Sequence, residues 1–149
     1  MTVEDARVMR IASPPIHPFL ALIPATCFTG ALLTDLAYWG SAQMMWADFS
    51  AWLISAGVVL ALLFAIVGLV EMIVRPSLRE RSGMVPYVLG YLVALALATF
   101  NMLIHSRDAW TSVVPSGLVL SALTVLVLVG TAFAGALLVY RPRHGVDYQ

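Results

Sequence analysis

Residues 51–74 read AWLISAGVVLALLFAIVGLVEMIV, and the only charged side chain in this run is that of Glu71. About 20 apolar residues in an α-helix cross the hydrocarbon core of a bilayer, which is roughly 30 Å thick. Backbone amides and carbonyls cannot stay unpaired in lipid, and a helix pairs them within one segment. The run therefore predicts a transmembrane helix.

Three further apolar runs have a similar length, at Pro18–Tyr38, Pro86–His105 and Gly117–Tyr140. The segments between the four runs are short and contain helix breakers, so consecutive helices should be antiparallel neighbours. The predicted fold is all-α. It is a single four-helix transmembrane domain over residues 1–149, an antiparallel up-down bundle with helices at about 18–38, 51–74, 86–105 and 117–140.

Composition supports a membrane protein and excludes some functions. Hydrophobic residues make up 61% of the chain and charged residues 11%, and the formal net charge is zero. The high hydrophobic content makes the lipid bilayer the first predicted partner. A chain without a basic excess has no electrostatic surface for nucleic acid, so nucleic acid is not a predicted partner. The single cysteine, Cys27, excludes an internal disulfide and a multi-cysteine metal site.

The arginines are unevenly distributed between the two sides of the predicted bundle, and basic residues that closely flank a span stay in the cytoplasm. One side carries all of them except Arg107, namely Arg7, Arg10, Arg75, Arg79, Arg81, Arg141 and Arg143. Tryptophans cluster around the opposite loops, as expected of anchors at a membrane surface. We therefore expect a multi-pass protein of the bacterial inner membrane with both termini in the cytoplasm.

Polar residues near the outer face form one candidate site: Asp35, Asn101, His105 and Arg107. Ionisable side chains in a span need a partner or a purpose. One interpretation is a proton, ion or quinone-headgroup site, in which Asp35 accepts hydrogen bonds and Arg107 or His105 supplies positive charge. The interpretation that we favour is structural, with an Asp–Arg or Asp–Asn contact tying the first and third helices together.

A second polar group is predicted near the cytoplasmic face, where Glu71 should pair with Arg75 one turn later or with Arg141. Tyr140 belongs to the same group. A haem b would need two histidines at similar depth, and His17 and His144 meet that condition. Both lie at or beyond helix ends, so solvation in the loops is the competing explanation.

Sequence signatures of catalysis are missing from the chain, which has no nucleophile elbow, phosphate-binding loop or His-Glu-x-x-His run. An enzyme is therefore disfavoured, and no catalytic or metal-ligating residue is assigned.

Two stretches at opposite ends of the chain belong together: Ile16-His17-Pro18 with Pro24, and GALLVY at residues 135–140 with His144-Gly145-Val146. With Asn101 and Arg107 they resemble the bacterial membrane family labelled domain of unknown function 2231. The resemblance implies a four-helix membrane domain. Some relatives are joined to Rieske-type iron–sulfur or other redox domains, which implies a place near membrane electron transfer.

The chain also departs from that family. Relatives commonly carry a second histidine two residues before the helix-one proline, where this chain has Leu22, and Pro142-Arg143 separates Arg141 from His144. Any haem or metal site of the family would therefore be reduced here to His17 and His144. Equally, these motifs could dock the ends of the first and fourth helices.

These observations favour a non-catalytic subunit or anchor of a larger, redox-linked membrane complex, with other membrane subunits as partners. Two alternatives stay open. One is a small electron carrier that binds haem b or a quinone. The other is a transporter or channel protomer, in which Asp35 and Asn101 line a polar path opened by oligomerisation.

Overall fold

The computed structural model describes residues 14–107 and 113–140. Five α-helices account for most of them: α1 (His17–Leu20), α2 (Leu22–Ser41), α3 (Met44–Val74), α4 (Met84–His105) and α5 (Leu118–Tyr140). A short 3₁₀ turn at Pro76–Leu78 precedes α4. A kinked turn at Val113–Gly117, in which Val114 has an extended backbone, precedes α5.

Among the described residues, four helical segments are long and apolar enough to cross a membrane: His17–Ser41, Met44–Val74, Met84–His105 and Val113–Val139. Helix α2 packs on α3, α3 on α4, α4 on α5, and α5 closes the bundle against α2. The predicted all-α fold of four transmembrane helices is thereby confirmed.

The first connection is shorter than the sequence indicated. We expected a loop over residues 39–50, but α2 continues to Ser41 and α3 begins at Met44, which leaves Ala42 and Gln43 as the turn. Ala42 has the left-handed conformation that ends a helix, with φ at 54°. Gly40 does not break α2, because an isolated glycine costs a helix only about 1 kcal/mol.

Helix α3 is longer than a bilayer core requires. It comprises 31 residues, which at 1.5 Å per residue gives a length of about 46 Å. Its first turns carry the exposed Asp48, so this end suits the interface and the water beyond it.

The first span is interrupted at Ala21, between α1 and α2. Pro24 follows three residues later and has no amide hydrogen for the carbonyl of Leu20. The interruption therefore lies next to the carbonyl that this proline leaves without its helical partner.

The centre of the bundle is filled by small and aromatic side chains. Phe28, Ala31, Ile54, Val58 and Ala98 belong to one buried cluster. Gly57 faces the Phe28 ring so closely that a Cβ atom would lie 2.6 Å from it. Small residues at helix contacts allow the close approach that packing in lipid requires, while large apolar side chains such as Leu33 and Phe133 point outward.

Arginines of the segment between α3 and α4 bind carbonyls at the ends of two helices. Arg79 Nε donates to the Met72 carbonyl at 3.1 Å, and Arg81 Nη1 donates to the Leu138 carbonyl at 2.6 Å. The last carbonyls of a helix lack partners and carry partial negative charge. These bonds join the end of α3 to the end of α5.

Candidate functional site

The start of α1 is held by a side chain from α3. The Glu71 carboxylate accepts hydrogen bonds from the backbone amides of Ile16, at 2.9 and 3.0 Å, and His17, at 3.1 Å. The first amides of a helix have no intrahelical partner and favour negative charge. Arg75 Nη1 lies 3.0 Å from the same carboxylate, and this contact agrees with the predicted pairing of Glu71 with Arg75.

The His17 ring is buried between helices α3 and α4. Its Nδ1 atom lies 2.5 Å from the Tyr87 hydroxyl oxygen, and its ring packs edge-on against Tyr91 at a centroid distance of 4.9 Å. A Cβ atom on Gly68 would lie 2.6 Å from the His17 ring, so only glycine leaves room for it there.

Beside His17 lies a cavity of about 300 Å³, which we call the aromatic pocket. Tyr87, Tyr91 and Glu71 line it together with His17, and its apolar wall is formed by Met72, Leu78, Met84, Val88 and Leu138. Leu69 and Leu92 line it as well, and both are more than half exposed on the outside of the bundle. The pocket therefore opens between α3 and α4 toward the lipid.

At the other end of the bundle, four polar residues form a closed ring of contacts, one of them to a backbone carbonyl, that we call the Asp35 network. Asp35 Oδ1 lies 3.1 Å from His105 Nε2, and Ser121 Oγ donates to Asp35 Oδ2 at 2.5 Å. Asn101 Nδ2 donates to Ser121 Oγ at 2.7 Å, and His105 Nδ1 lies 3.1 Å from the Asn101 carbonyl oxygen. The network joins α2, α4 and α5.

The Asp35 network is shielded from solvent. Asp35 is 0% exposed and Asn101 2% exposed. Asn101 Oδ1 is buried without a hydrogen-bond partner among the described residues. Next to it, the Thr34 and Ser50 hydroxyls meet at 2.6 Å and link α2 to α3. Contacts to the three other long helices therefore start from two consecutive residues of α2.

The structure brings together some of the predicted residues and not others. Asp35 pairs with His105 and Ser121, whereas Arg107 is exposed beyond the end of α4. His17 and His105 lie at opposite ends of the bundle, since one begins the first span and the other ends the third. They cannot ligate one haem. Arg141 and His144 lie outside the described residues, as does the side chain of Tyr140.

Sequence reasoning missed several residues of both sites. Tyr87 and Tyr91 are four residues apart, which places two hydroxyl-bearing rings on one face of α4, and that spacing was a usable signal. Ser121 offered no comparable signal of a functional site, because a serine in an apolar helix usually bonds the backbone of its own helix. The role of Gly68 could not be predicted from the sequence, because it is apparent only from the position of the His17 ring beside it.

Comparison with known proteins identifies a family. Residues 13–148 match a family described as predicted membrane protein (DUF2231). No curated protein and no solved structure matches the chain. The family match covers most of the sequence and agrees with the four membrane-crossing helices. The chain belongs to the DUF2231 family of predicted membrane proteins.

Proposed function

We propose that this protein is a non-catalytic membrane subunit of a redox-linked assembly and that it binds a membrane-soluble quinone in the aromatic pocket. The observation that carries the proposal is the pocket itself, an apolar cavity of about 300 Å³ with a histidine–tyrosine pair in its wall. Sites for small ligands have volumes of about 300–1,000 Å³ and combine apolar walls with a few polar groups. The redox centre that exchanges electrons with the quinone would belong to a partner subunit.

Access from the lipid supports a ligand that dissolves in the membrane. The mouth of the pocket lies between Leu69 and Leu92, whose side chains face outward from two neighbouring helices. A quinone with an isoprenoid tail could leave that tail between the lipids and insert its ring.

The polar groups of the pocket suit a ring carbonyl. When the Tyr87 hydroxyl donates to His17 Nδ1, the hydrogen of a neutral imidazole is on Nε2, which can then donate to a ligand. The Nε2 atom of His17 lies beside Gly68, and His17 and Gly68 both line the pocket. Tyr87 and Tyr91 add ring faces against which a quinone ring could stack.

The binding prediction is tested by measuring how much quinone the protein retains. After incubation with decylubiquinone and repurification, we expect about one quinone per chain by solvent extraction and chromatography. Leu92→Trp places an indole at the mouth and should lower the bound fraction about tenfold, which corresponds to about 1.4 kcal/mol. Tyr87→Phe removes the hydroxyl from His17 and should weaken binding about fivefold, at about 1 kcal/mol.

Two matched control variants change a leucine and a tyrosine that lie outside the aromatic pocket. Leu89→Trp changes an exposed leucine on α4 that does not line the pocket, and Tyr38→Phe removes the hydroxyl of a buried tyrosine elsewhere. Both should retain quinone like the wild type. Equal retention by all four variants would disprove the quinone site. A reduced-minus-oxidised haem b spectrum that disappears in His17→Ala or His144→Ala would instead establish a haem-based electron carrier.

The proposal places both termini in the cytoplasm of a bacterial cell, with the chain in the inner membrane. The distribution of arginines supports this orientation, since Arg75, Arg79 and Arg81 all lie in the segment between α3 and α4. The aromatic pocket would then be near the cytoplasmic face and the Asp35 network near the outer face.

Labelling of introduced cysteines tests the orientation. In a Cys27→Ser background, we expect Gln43→Cys to react with a membrane-impermeant maleimide in intact spheroplasts. Glu80→Cys should react only after the membrane is permeabilised. Both positions are exposed turns at opposite ends of the bundle. The reverse labelling pattern would show that both termini lie on the outer side of the membrane and would contradict the proposed orientation.

A transporter protomer receives less support from the geometry. Asp35 and Asn101 face His105 and Ser121 inside the bundle. An oligomer would form at the outer surfaces of the helices, and neither side chain reaches such a surface. Proteoliposome flux that is lost in Asp35→Asn would revive this alternative.

A further inference from the structure

The hydrogen-bond directions of the Asp35 network can be assigned from its chemistry. Asn101 Nδ2 can only donate, so the single hydrogen of Ser121 is free to point at Asp35 Oδ2. The Asn101 carbonyl can only accept, so His105 Nδ1 carries a hydrogen. The contact between His105 Nε2 and Asp35 Oδ1 then requires exactly one more hydrogen.

From this count we propose that Asp35 and His105 form a buried single-proton site. One exchangeable hydrogen lies between Asp35 Oδ1 and His105 Nε2, and the pair has no net charge. Two arrangements satisfy the count, namely a carboxylate with an imidazolium and a carboxylic acid with a neutral imidazole. Transfer of the hydrogen across the contact interconverts them without changing the total charge.

The surroundings favour a neutral pair. The two side chains are 0% and 2% exposed, and an isolated charge within a membrane span is costly. The titratable or charged groups described on neighbouring turns are Tyr38 on α2, Asp48 on α3 and Arg107 after α4. Asp48 and Arg107 are exposed, Tyr38 offers a phenol hydroxyl, and α5 contributes the hydroxyls of Ser121 and Thr124. The described surroundings therefore supply no buried charge to balance a charged pair.

Losing or gaining a proton would break the ring. Without the shared hydrogen, a carboxylate oxygen would face an imidazole lone pair at 3.1 Å. With a second hydrogen, two donors would face each other across the same contact. Because the ring joins α2, α4 and α5, the bound proton also holds three helices together.

The tautomer of His105 distinguishes this site from an ordinary ionised aspartate with a neutral histidine. In the ordinary pair, the only ring hydrogen would be on Nε2, and the site would be negative. Nitrogen-15 NMR of labelled histidine should instead show a hydrogen on Nδ1 of His105 at neutral pH. The His105 signal is assigned by its loss in His105→Gln. A His105 protonated on Nε2 alone would overturn the proposal.

Substitutions of Asp35 give a second, independent test. An asparagine at this position can donate to His105 Nε2 and accept from Ser121, so Asp35→Asn should leave the unfolding midpoint within about 2 °C of the wild type. Asp35→Leu leaves both partners unsatisfied and should lower the midpoint by roughly 6 °C or more. The exposed control Asp48→Asn should change neither the midpoint nor the His105 signal.

A large loss of stability in Asp35→Asn, together with a wild-type His105 protonated on Nε2 alone, would show an ionised aspartate beside a neutral histidine and would refute the single-proton site. If Asp35→Leu does not fold, the His105 tautomer in the wild type and in Asp35→Asn still decides the question. The inference does not depend on the aromatic pocket, because quinone retention does not report on His105.

Discussion

Replacing Glu71 by alanine is expected to lower the free energy of unfolding by about 3 kcal/mol, or the thermal midpoint by roughly 6–12 °C. The carboxylate receives the backbone amides of Ile16 and His17 and also pairs with Arg75. Alanine leaves both amides without an acceptor at the end of a helix. The measurement is thermal unfolding of the purified protein in a mild detergent, followed by circular dichroism.

Two control variants separate this effect from a change in charge. Glu80→Ala removes an exposed glutamate between α3 and α4, and it should change stability by no more than about 0.5 kcal/mol. Glu71→Gln keeps one acceptor oxygen and should lose about 1 kcal/mol. If Glu71→Ala unfolded like Glu80→Ala, the carboxylate would not hold the His-Pro turn.

Replacing Gly83 by alanine is expected to cost about 2 kcal/mol, and valine should cost more. A Cβ atom at this position would lie 2.7 Å from the backbone oxygen of Ala134 and 3.1 Å from Leu137 Cβ. Backbone cannot move aside as the end of a side chain can, so α4 and α5 must separate. Unfolding midpoints of the two variants measure the cost.

Gly40→Ala is the matched control, because no atom lies within 4 Å of a Cβ atom there. Alanine inside a helix is favoured over glycine by roughly 0.5–1 kcal/mol, so Gly40→Ala should be neutral or stabilising. A loss in Gly40→Ala equal to that in Gly83→Ala would point to a general effect of glycine replacement. The close contact between α4 and α5 would then not explain the cost.

The fold could be predicted because its determinants are simple. Apolar runs such as 51–74 have the length of a bilayer crossing, and lipid leaves the backbone few alternatives to a helix. The extent of α3 was not predicted, because its first seven residues contain the charged Asp48 and closely follow Gly40, a predicted helix breaker, and they still form a helix. Hydropathy locates the part of a helix inside the membrane, whereas the helix itself can continue into water.

The candidate sites could be predicted only in part. The spacing of Glu71 and Arg75 was sufficient to expect their pair. The hydrogen bonds from the backbone amides of Ile16 and His17 to Glu71 were not predictable, because they depend on how α1 docks against α3. Ser121 was missed for a related reason, since a serine hydroxyl can bond the backbone of its own helix and the contact with Asp35 depends on how α5 packs against α2.

The lateral mouth between Leu69 and Leu92 has a consequence for how occupancy of the aromatic pocket would be controlled. A molecule that arrives by diffusion within the bilayer is present there as a mole fraction of the lipid, and its concentration in the aqueous phase is secondary. The pocket would fill or empty as the membrane's own composition changes. A soluble competitor would act only in proportion to its partition coefficient into the bilayer.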